Sequence, residues 1–425
     1  MKKRVIIFSG LVNVDKNLVG TAVIYKKMAD VFLSKNYEVI MVVPELNNLK
    51  AEKINFKLYN EENNKKLIDS ASIVVVGAYP PVKPLVYAYE KEKLIITYLW
   101  SIAPVGSLEF KDFSDKNKQI KLHRYISASY NLSLLLSDKI FCRDEGVRKL
   151  ILGSLISLGR ANLENYELDR SFSKLVEVAS FGIDNLKPKK TKKLYRSIVP
   201  GINNKDFILL WNGGIWNWND GETLIRAMDK LKNENVKLIF QGFRHPGRGK
   251  EISDKAQKAL KLAIKLKLKD KNIFFIESWL PYNERANFLL EANAGVVSSP
   301  NIPEANLFLK TRIYDHLWAE LPTILNDSEA FAPIIKENNL GLVAKTGNPD
   351  SWVINILALK NNKKIIKRIK ENIKEYKKEI EWKNTLKPLI NFIKKPEKLK
   401  DKNNKANKLL QDNIKTNQNV INSFS

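Results

Sequence analysis

One alternation governs what this chain can fold into. In "RVIIFSG … TAVIYKKMADVFLSKN … YEVIMVVP" a short apolar, β-rich run is followed by a stretch with helical apolar spacing and then by a second apolar run. Strands joined through a helix lie parallel, because only a long crossover can carry the chain back to the same edge. "SASIVVVGA", "EKLIITYLW", "DKIFCRDEG" and "KLVEVASFG" read as further strands, the last closing near Gly182. Residues 184–206 break the rhythm with two prolines, a basic cluster and Gly201, which marks a domain boundary. A second series follows, with "FILLWNG", "VKLIFQG", "NIFFIES", "AGVVSS", "PTILN" and "GLVA" as strands and helical stretches between them. The expected fold is α/β, with two doubly wound domains whose strand ends face a cleft. At 425 residues the chain is too long for one core, and 44% hydrophobic residues suffice for two.

The expected domains are 1–185 and 186–362. Lys-rich helices at 363–395 are expected to pack back on them, with Trp382 and Leu386 as anchors. The basic stretch 396–425 shows little apolar periodicity and reads as a mobile tail or a loosely formed helix.

The formal charge of +26 raises nucleic acid, anionic membrane surfaces and phosphorylated small molecules as partners. The excess is mostly dispersed Lys, and no zinc-finger, basic-zipper or RNA-recognition pattern accompanies it, so nucleic acid is not the expected partner. Cys142 is the single cysteine, lies in the apolar run "KIFC" and is expected in the core. The opening "MKKRVIIFSG" is too short for a signal peptide, and no apolar run approaches the roughly 20 residues that span a bilayer. A cytoplasmic protein is expected, with peripheral contact at the inner membrane face left open.

Three stretches could carry chemistry. In "WNGGIWNWND", Gly213 and Gly214 follow a strand and precede a helix, with Trp216, Asn217 and Trp218 beside them. Backbone N–H groups at such a turn suit a phosphate, although a plain turn has the same spacing. In "EANLFLKTRIYDHLWAELP", Glu304, Lys310, Arg312 and Asp315 bracket a loop and a helix start. The cations could hold a diphosphate and Asp315 a ribose, or Asp315 and Arg312 could form an ordinary helix-surface pair. In "GFRHPG", His245 follows a strand end and is either a surface residue or a ligand contact. Gly10 and Gly20 flank the first strand-to-helix loop without forming a GxGxxG fingerprint, and are kept as candidate donor contacts. No zinc-type spacing, GxSxG elbow or Walker A sequence is present, and no metal or other cofactor is expected.

The order and spacing of "LLWNGGIWNWNDGETLIRAM", "LIFQGFRHPG", "WLPYNERANFLLEANAGV" and "KTRIYDHLWAELPTI" resemble a bacterial branch of the family-4 glycosyltransferases. The resemblance extends upstream through "IFCRDEGVRKLILGSLISLGRANLENY" and "SFGID". It is dense over about 135–345 and looser over 1–130. It implies the GT-B fold of two Rossmann-like domains and a retaining transfer from a nucleotide-sugar, the co-substrate, to an acceptor hydroxyl. It further implies that the second domain binds the nucleotide and the first the acceptor, a sugar or a lipid-linked sugar. Gly213 and Gly214 would then lie by the donor phosphates, Lys310 and Arg312 would face the diphosphate, Asp315 would hold the ribose and Glu304 would sit near the donor sugar.

The chain departs from the wider family at three points. The first of two glutamates spaced seven apart falls on Leu307, Glu320 replaces a glycine before "LP", and His123 lies in no recognisable catalytic motif. These departures keep open a second reading, a nucleotide-binding relative without transfer activity. A third reading is a charge-driven nucleic-acid binder.

Overall fold

The structure, a computed structural model, describes residues 3–10, 12, 14, 20–46, 53–109, 115–244, 252–404 and 407–424. By its internal contacts the chain forms two units, Met1–Phe181 with Thr385–Ser425, and Gly182–Asn384.

In the first unit seven strands form one sheet. They are β1 (Arg4–Phe8), β2 (Glu38–Val43), β3 (Ile54–Leu58), β4 (Ile73–Gly77), β5 (Leu94–Leu99), β6 (Lys139–Cys142) and β7 (Val176–Val178). Their order is β3-β2-β1-β4-β5-β6-β7, and every pairing is parallel. The second unit repeats the plan with β8 (Phe207–Asn212), β9 (Val236–Gln241), β10 (Ile273–Ile276), β11 (Ala294–Val297), β12 (Thr323–Asn326) and β13 (Gly341–Ala344). Their order is β10-β9-β8-β11-β12-β13, again all parallel. Central strands such as β5 and β8 are buried at every residue. That is why they read as unbroken apolar runs: helices cover both faces of a parallel sheet. In each unit the strand order reverses once, beside β1 and beside β8. A doubly wound sheet takes its ligand outside the carboxyl ends of the strands at that point.

The linker stretch 184–206 is fixed to the second unit. Buried Glu291 accepts the backbone N–H groups of Leu194, Tyr195 and Arg196 at 3.0, 2.9 and 3.2 Å. The Asn287 side-chain Oδ1 accepts Thr191 N–H at 2.7 Å.

Of the two readings of the C-terminal stretch, a mobile tail or a loosely formed helix, the structure shows a helix. Helix Lys408–Asn422 packs against helix Lys116–Leu136 of the first unit. Its buried residues are Leu410, Ile414, Asn417 and Ile421, a continuous helical stripe, and Asn417 accepts a hydrogen bond from Asn131 at 3.1 Å. The periodicity is therefore present, with an asparagine on the buried face. The Lys-rich stretch 363–395 does form helices, with Trp382 and Leu386 buried, but the chain passes from the second unit to the first at Thr385.

Two buried ion pairs hold the turn before that last helix. Arg160 Nε meets Asp401 at 3.1 Å, and Lys402 Nζ meets Asp138 at 2.8 Å, with all four side chains nearly sealed. Arg160 also donates to the Leu134 carbonyl, and Asn165 donates to Asp401 at 2.9 Å. Burial alone would raise the Asp401 carboxyl. The Arg160 charge and the hydrogen bonds from Arg160 and Asn165 outweigh it and hold the group below its ordinary value. Removing one partner leaves the other charge buried and unpaired. Asp401→Ala is expected to lower unfolding free energy by about 3–5 kcal/mol, read from urea denaturation monitored by tryptophan fluorescence. A loss under about 1 kcal/mol would mean that the segment does not depend on the pair.

Candidate active site

The loop after β8 is built to hold its shape. Gly213 has φ +96°, a conformation that side chains disfavour, and its N–H donates to the Gln241 carbonyl at 2.8 Å. The Trp216 and Trp218 rings then stack with centroids 5.5 Å apart and planes 15° from parallel. Asn219 accepts the Trp216 N–H at 2.9 Å. Asp220 N–H reaches the Ser298 carbonyl at 2.9 Å, and the Asp220 carboxylate caps helix Gly221–Lys230 through Thr223 N–H. The loop is thus tied to the strand end on each side of β8, at Gln241 and Ser298.

Helix Thr311–Trp318 brings the charged residues to this loop. Lys310 precedes its first turn and meets Glu304 at 3.3 Å, with both side chains largely buried. Glu304 lies on the short helix Pro303–Leu307, three residues before Leu307 and on the same face. Arg312 donates from Nη2 to the Gly214 carbonyl at 3.0 Å and lies over the Trp211 ring at 4.8 Å. Burial pushes its guanidinium down to about 10, with Glu329 and Asp315 opposing the shift, so it stays charged at neutral pH.

Asp315 is paired with Arg285, not with Arg312. Arg285 Nε donates to Asp315 Oδ1 at 3.1 Å, and Nη2 donates to Asp184 Oδ2 at 3.2 Å. The guanidinium lies 3.7 Å from the Tyr282 ring centroid and 4.0 Å from that of Trp318. On the other oxygen, Asn212 Nδ2 approaches Asp315 Oδ2 at 3.5 Å. Asn212 Oδ1 lies 2.7 Å from His316 Nε2, and His316 Nδ1 lies 3.1 Å from Thr323 Oγ1. An amide oxygen only accepts, so Nε2 carries the proton and Nδ1 accepts from the Thr323 hydroxyl. Gly295 makes room for the ring: a Cβ there would stand 2.3 Å from His316 Cε1. Burial raises the Asp315 carboxyl to about 6 against the pull of Arg285, and lowers His316 to about 3.

A fourth element was not anticipated. Glu329 follows β12 and is 2% exposed. Among the described residues, neither of its carboxylate oxygens has a partner at hydrogen-bond geometry, nor do Ser299 Oγ and Arg312 Nη1. Burial raises its carboxyl, opposed by Lys310, Ser299 and Arg312.

The structure therefore gathers Gly213, Gly214, Trp216, Asn217, Trp218, Glu304, Lys310, Arg312 and Asp315 around the carboxyl ends of β8, β11 and β12. Gly10 and Gly20 belong to the first unit, where Gly10 has φ +61° and Gly20 opens a helix. His245 lies outside the described residues. Sequence reading missed Glu329, Arg285, Asn212 and His316. Glu329 alone left a signal, an acidic residue just past a buried strand. Glu320 does adopt a left-handed conformation, φ 54°, and its carboxylate is held by Lys377. Cys142 is buried, and burial pushes its thiol up to about 12, as suits a core residue. Among the described residues, no group of three or more His, Cys, Asp or Glu is placed to hold a metal, and no helix is long and apolar enough to cross a membrane.

Residues 197–376 match the family model described as Glycosyl transferases group 1. No curated protein matches the chain. Anabaena HepE in complex with UDP and glucose superposes with a TM-score of 0.66 at 10% identity, over 92% of this chain and 99% of that one. A glycosyltransferase from Rickettsia africae gives 0.62 at 15% identity, over 93% and 100%. Sucrose-phosphate synthase from Thermosynechococcus elongatus gives 0.62 at 10%, over 92% and 98%. The chain has the GT-B fold, and residues 197–376 form a glycosyl transferases group 1 domain. The domain match falls wholly within the second unit, which also carries the site described above.

His316 offers a test of the buried network. Its folded-state value lies below the ordinary 6.5 of an unfolded histidine, so its contribution to stability is present above pH 6.5 and is lost as pH falls towards about 3. His316→Gln is expected to flatten the acid side of the stability profile. Urea unfolding of both proteins at pH 7 and pH 4.5 should give a smaller difference in the variant. Equal differences would mean that the imidazole is not held neutral in the fold.

Proposed function

We propose that the protein is a retaining, metal-independent family-4 glycosyltransferase that moves a sugar from a nucleotide-sugar to an acceptor hydroxyl. The observation that carries this reading is the meeting of Arg312 with the Gly213–Gly214 turn at the strand-order reversal of the second unit, with Lys310 two residues before it and paired with Glu304. Two cations and a backbone turn suit a diphosphate. Asp315, still largely ionised at neutral pH, suits a ribose diol. The stacked tryptophans suit a wall that keeps water from the donor. Known structures of the same fold hold UDP and UDP-glucose, which supports a nucleotide-sugar donor.

The chemistry follows from that arrangement. The bond between the anomeric carbon and the diphosphate oxygen breaks, and a bond from the acceptor oxygen forms on the same face. The departing phosphate oxygen takes the acceptor's proton, so a dedicated general base is not needed. Lys310, Arg312 and backbone N–H groups meet the charge that develops on the leaving group. The first unit takes the acceptor, in synthesis of a cell-surface polysaccharide or glycolipid. The net charge of +26 favours an anionic, lipid-linked acceptor presented at a membrane face.

Thermal shift against UDP, GDP, dTDP, ADP and CMP, each with its sugars, should single out one nucleotide by mass action. Arg312→Ala should lose most of that affinity, at least tenfold, while His123→Ala in the first unit leaves it unchanged. Transfer should survive EDTA. A panel without any shift, together with steeply salt-dependent binding to DNA or RNA, would replace this reading with nucleic-acid binding.

A further inference from the structure

We propose that Glu329 contacts the transferred sugar, its carboxylate accepting hydrogen bonds from sugar hydroxyls and so helping to select the donor. This inference rests on the donor reading above.

The backbone around Glu329 is fixed. At the end of β12, the Asn326 side chain accepts Ser299 N–H at 2.9 Å and donates to the Ser299 carbonyl at 2.8 Å. Ser328 Oγ donates to that carbonyl at 3.1 Å. Asp327 accepts the Thr346 N–H and hydroxyl at 2.9 and 2.6 Å. Ala330 N–H reaches the Ala305 carbonyl at 2.9 Å, which ties the loop to the helix that carries Glu304. Glu329 is held from both sides and is buried.

Buried polar atoms in folded proteins nearly always have partners. Here four have no partner at good hydrogen-bond geometry, both Glu329 oxygens, Ser299 Oγ and Arg312 Nη1, although Ser299 stands close enough to Glu329 to draw its carboxyl down. The Ser299 hydroxyl beside the carboxylate could satisfy one lone pair of about four. Of the nearby cations, Lys310 is engaged with Glu304, and Arg312 is engaged through Nη2 with the Gly214 carbonyl while its Nη1 is left over. Ser299 and Glu329 follow the adjacent strands β11 and β12, so these unmet groups stand at the same sheet edge as the Gly213 turn.

The chemistry selects the ligand group. A carboxyl group is chiefly an acceptor, so the partner that suits it donates, and in its ionised form it repels phosphate. A ligand that offers phosphate oxygens to Lys310 and Arg312 and hydroxyls to Glu329 matches both needs, as a sugar diphosphate does. The carboxylate also stands in a unit where Leu307 occupies the place of an acidic residue. Glu304 cannot supply the whole of that role while it neutralises Lys310.

Glu329→Gln keeps the shape and removes the charge. Binding should be measured with the nucleotide and nucleotide-sugar found in the panel, UDP and UDP-glucose being the first probes. The variant should bind the nucleoside diphosphate within about twofold of the parent protein. It should lose roughly 10- to 100-fold in affinity or turnover specific to the nucleotide-sugar, the range of hydrogen bonds to a charged group. Its melting temperature without ligand should be equal or higher, because burial disfavours the ionised carboxylate at neutral pH. Equal weakening of nucleotide and nucleotide-sugar, or a melting temperature several degrees lower with sugar preference unchanged, would assign Glu329 to the framework. Nucleotide binding with an intact sugar preference in the variant overturns this inference alone. A parent protein that binds no nucleotide overturns the donor reading itself.

Discussion

The contact between Asp315 and Arg285 is the one on which the polar interior of the second unit depends. A carboxylate taken out of water must be paired or it protonates. Arg285 supplies the pairing, and it is itself over-determined: Asp184 holds its far side, and two aromatic rings hold its faces. A cation stacked on rings away from water gains about 2 kcal/mol, enough to matter for a side chain with this much entropy to lose. On the opposite side of Asp315 the network runs through Asn212 at the end of β8, neutral His316 and Thr323 in β12. A carboxylate so held, with Arg285 on one oxygen and Asn212 near the other, is fixed in orientation. That is a requirement for recognising a diol without reorganisation in the bound state.

The sequence made most of the architecture legible because central strands are buried on both faces and stand out as apolar runs. The same logic hides β3. It lies at the sheet edge and buries only Ile54 of "INFKL", so no run forms. The site divides in the same way. Gly213 to Trp218 and Glu304 to Asp315 are each packed into a short stretch at the end of a strand or start of a helix, where local chemistry is readable. The partners of Asp315 are not: Arg285 lies 30 residues away and Asn212 lies 103 away. Nothing in local spacing predicts which arginine among several will meet a given carboxylate. The ordinary i,i+3 partner, Arg312, is turned instead towards the Gly214 carbonyl.

The C-terminal helix shows the other limit of pattern reading. Its buried stripe includes Asn417, and the turn before it buries Asp401 and Lys402. Polarity marks such residues as surface. They are tolerated inside because each has a partner in another part of the first unit, Asn131, Arg160 and Asp138. Pairing of this kind is a property of the folded chain alone. Breaking it costs more than forming it gains, so it ties the chain end in place without adding much net stability.

The two units differ in what surrounds their buried charge. In the first, Arg160 pairs with Asp401 and Lys402 with Asp138, although Arg160 Nη2 and Asp401 Oδ1 are left over, and the result is structural. In the second, charge is left partly unanswered around Glu329 and Arg312, and Lys310 is paired with a carboxylate on a five-residue helix. An unmet buried group lowers stability, so a fold that keeps several in one place gains something from them elsewhere. Binding energy that arises only when a ligand supplies the missing partners is the form of gain that can favour one chemical group over another. A sugar joined to a diphosphate offers donors and anionic oxygens in one rigid piece. On the proposed reading, the uneven pairing around β8, β11 and β12 would be the complement of that piece.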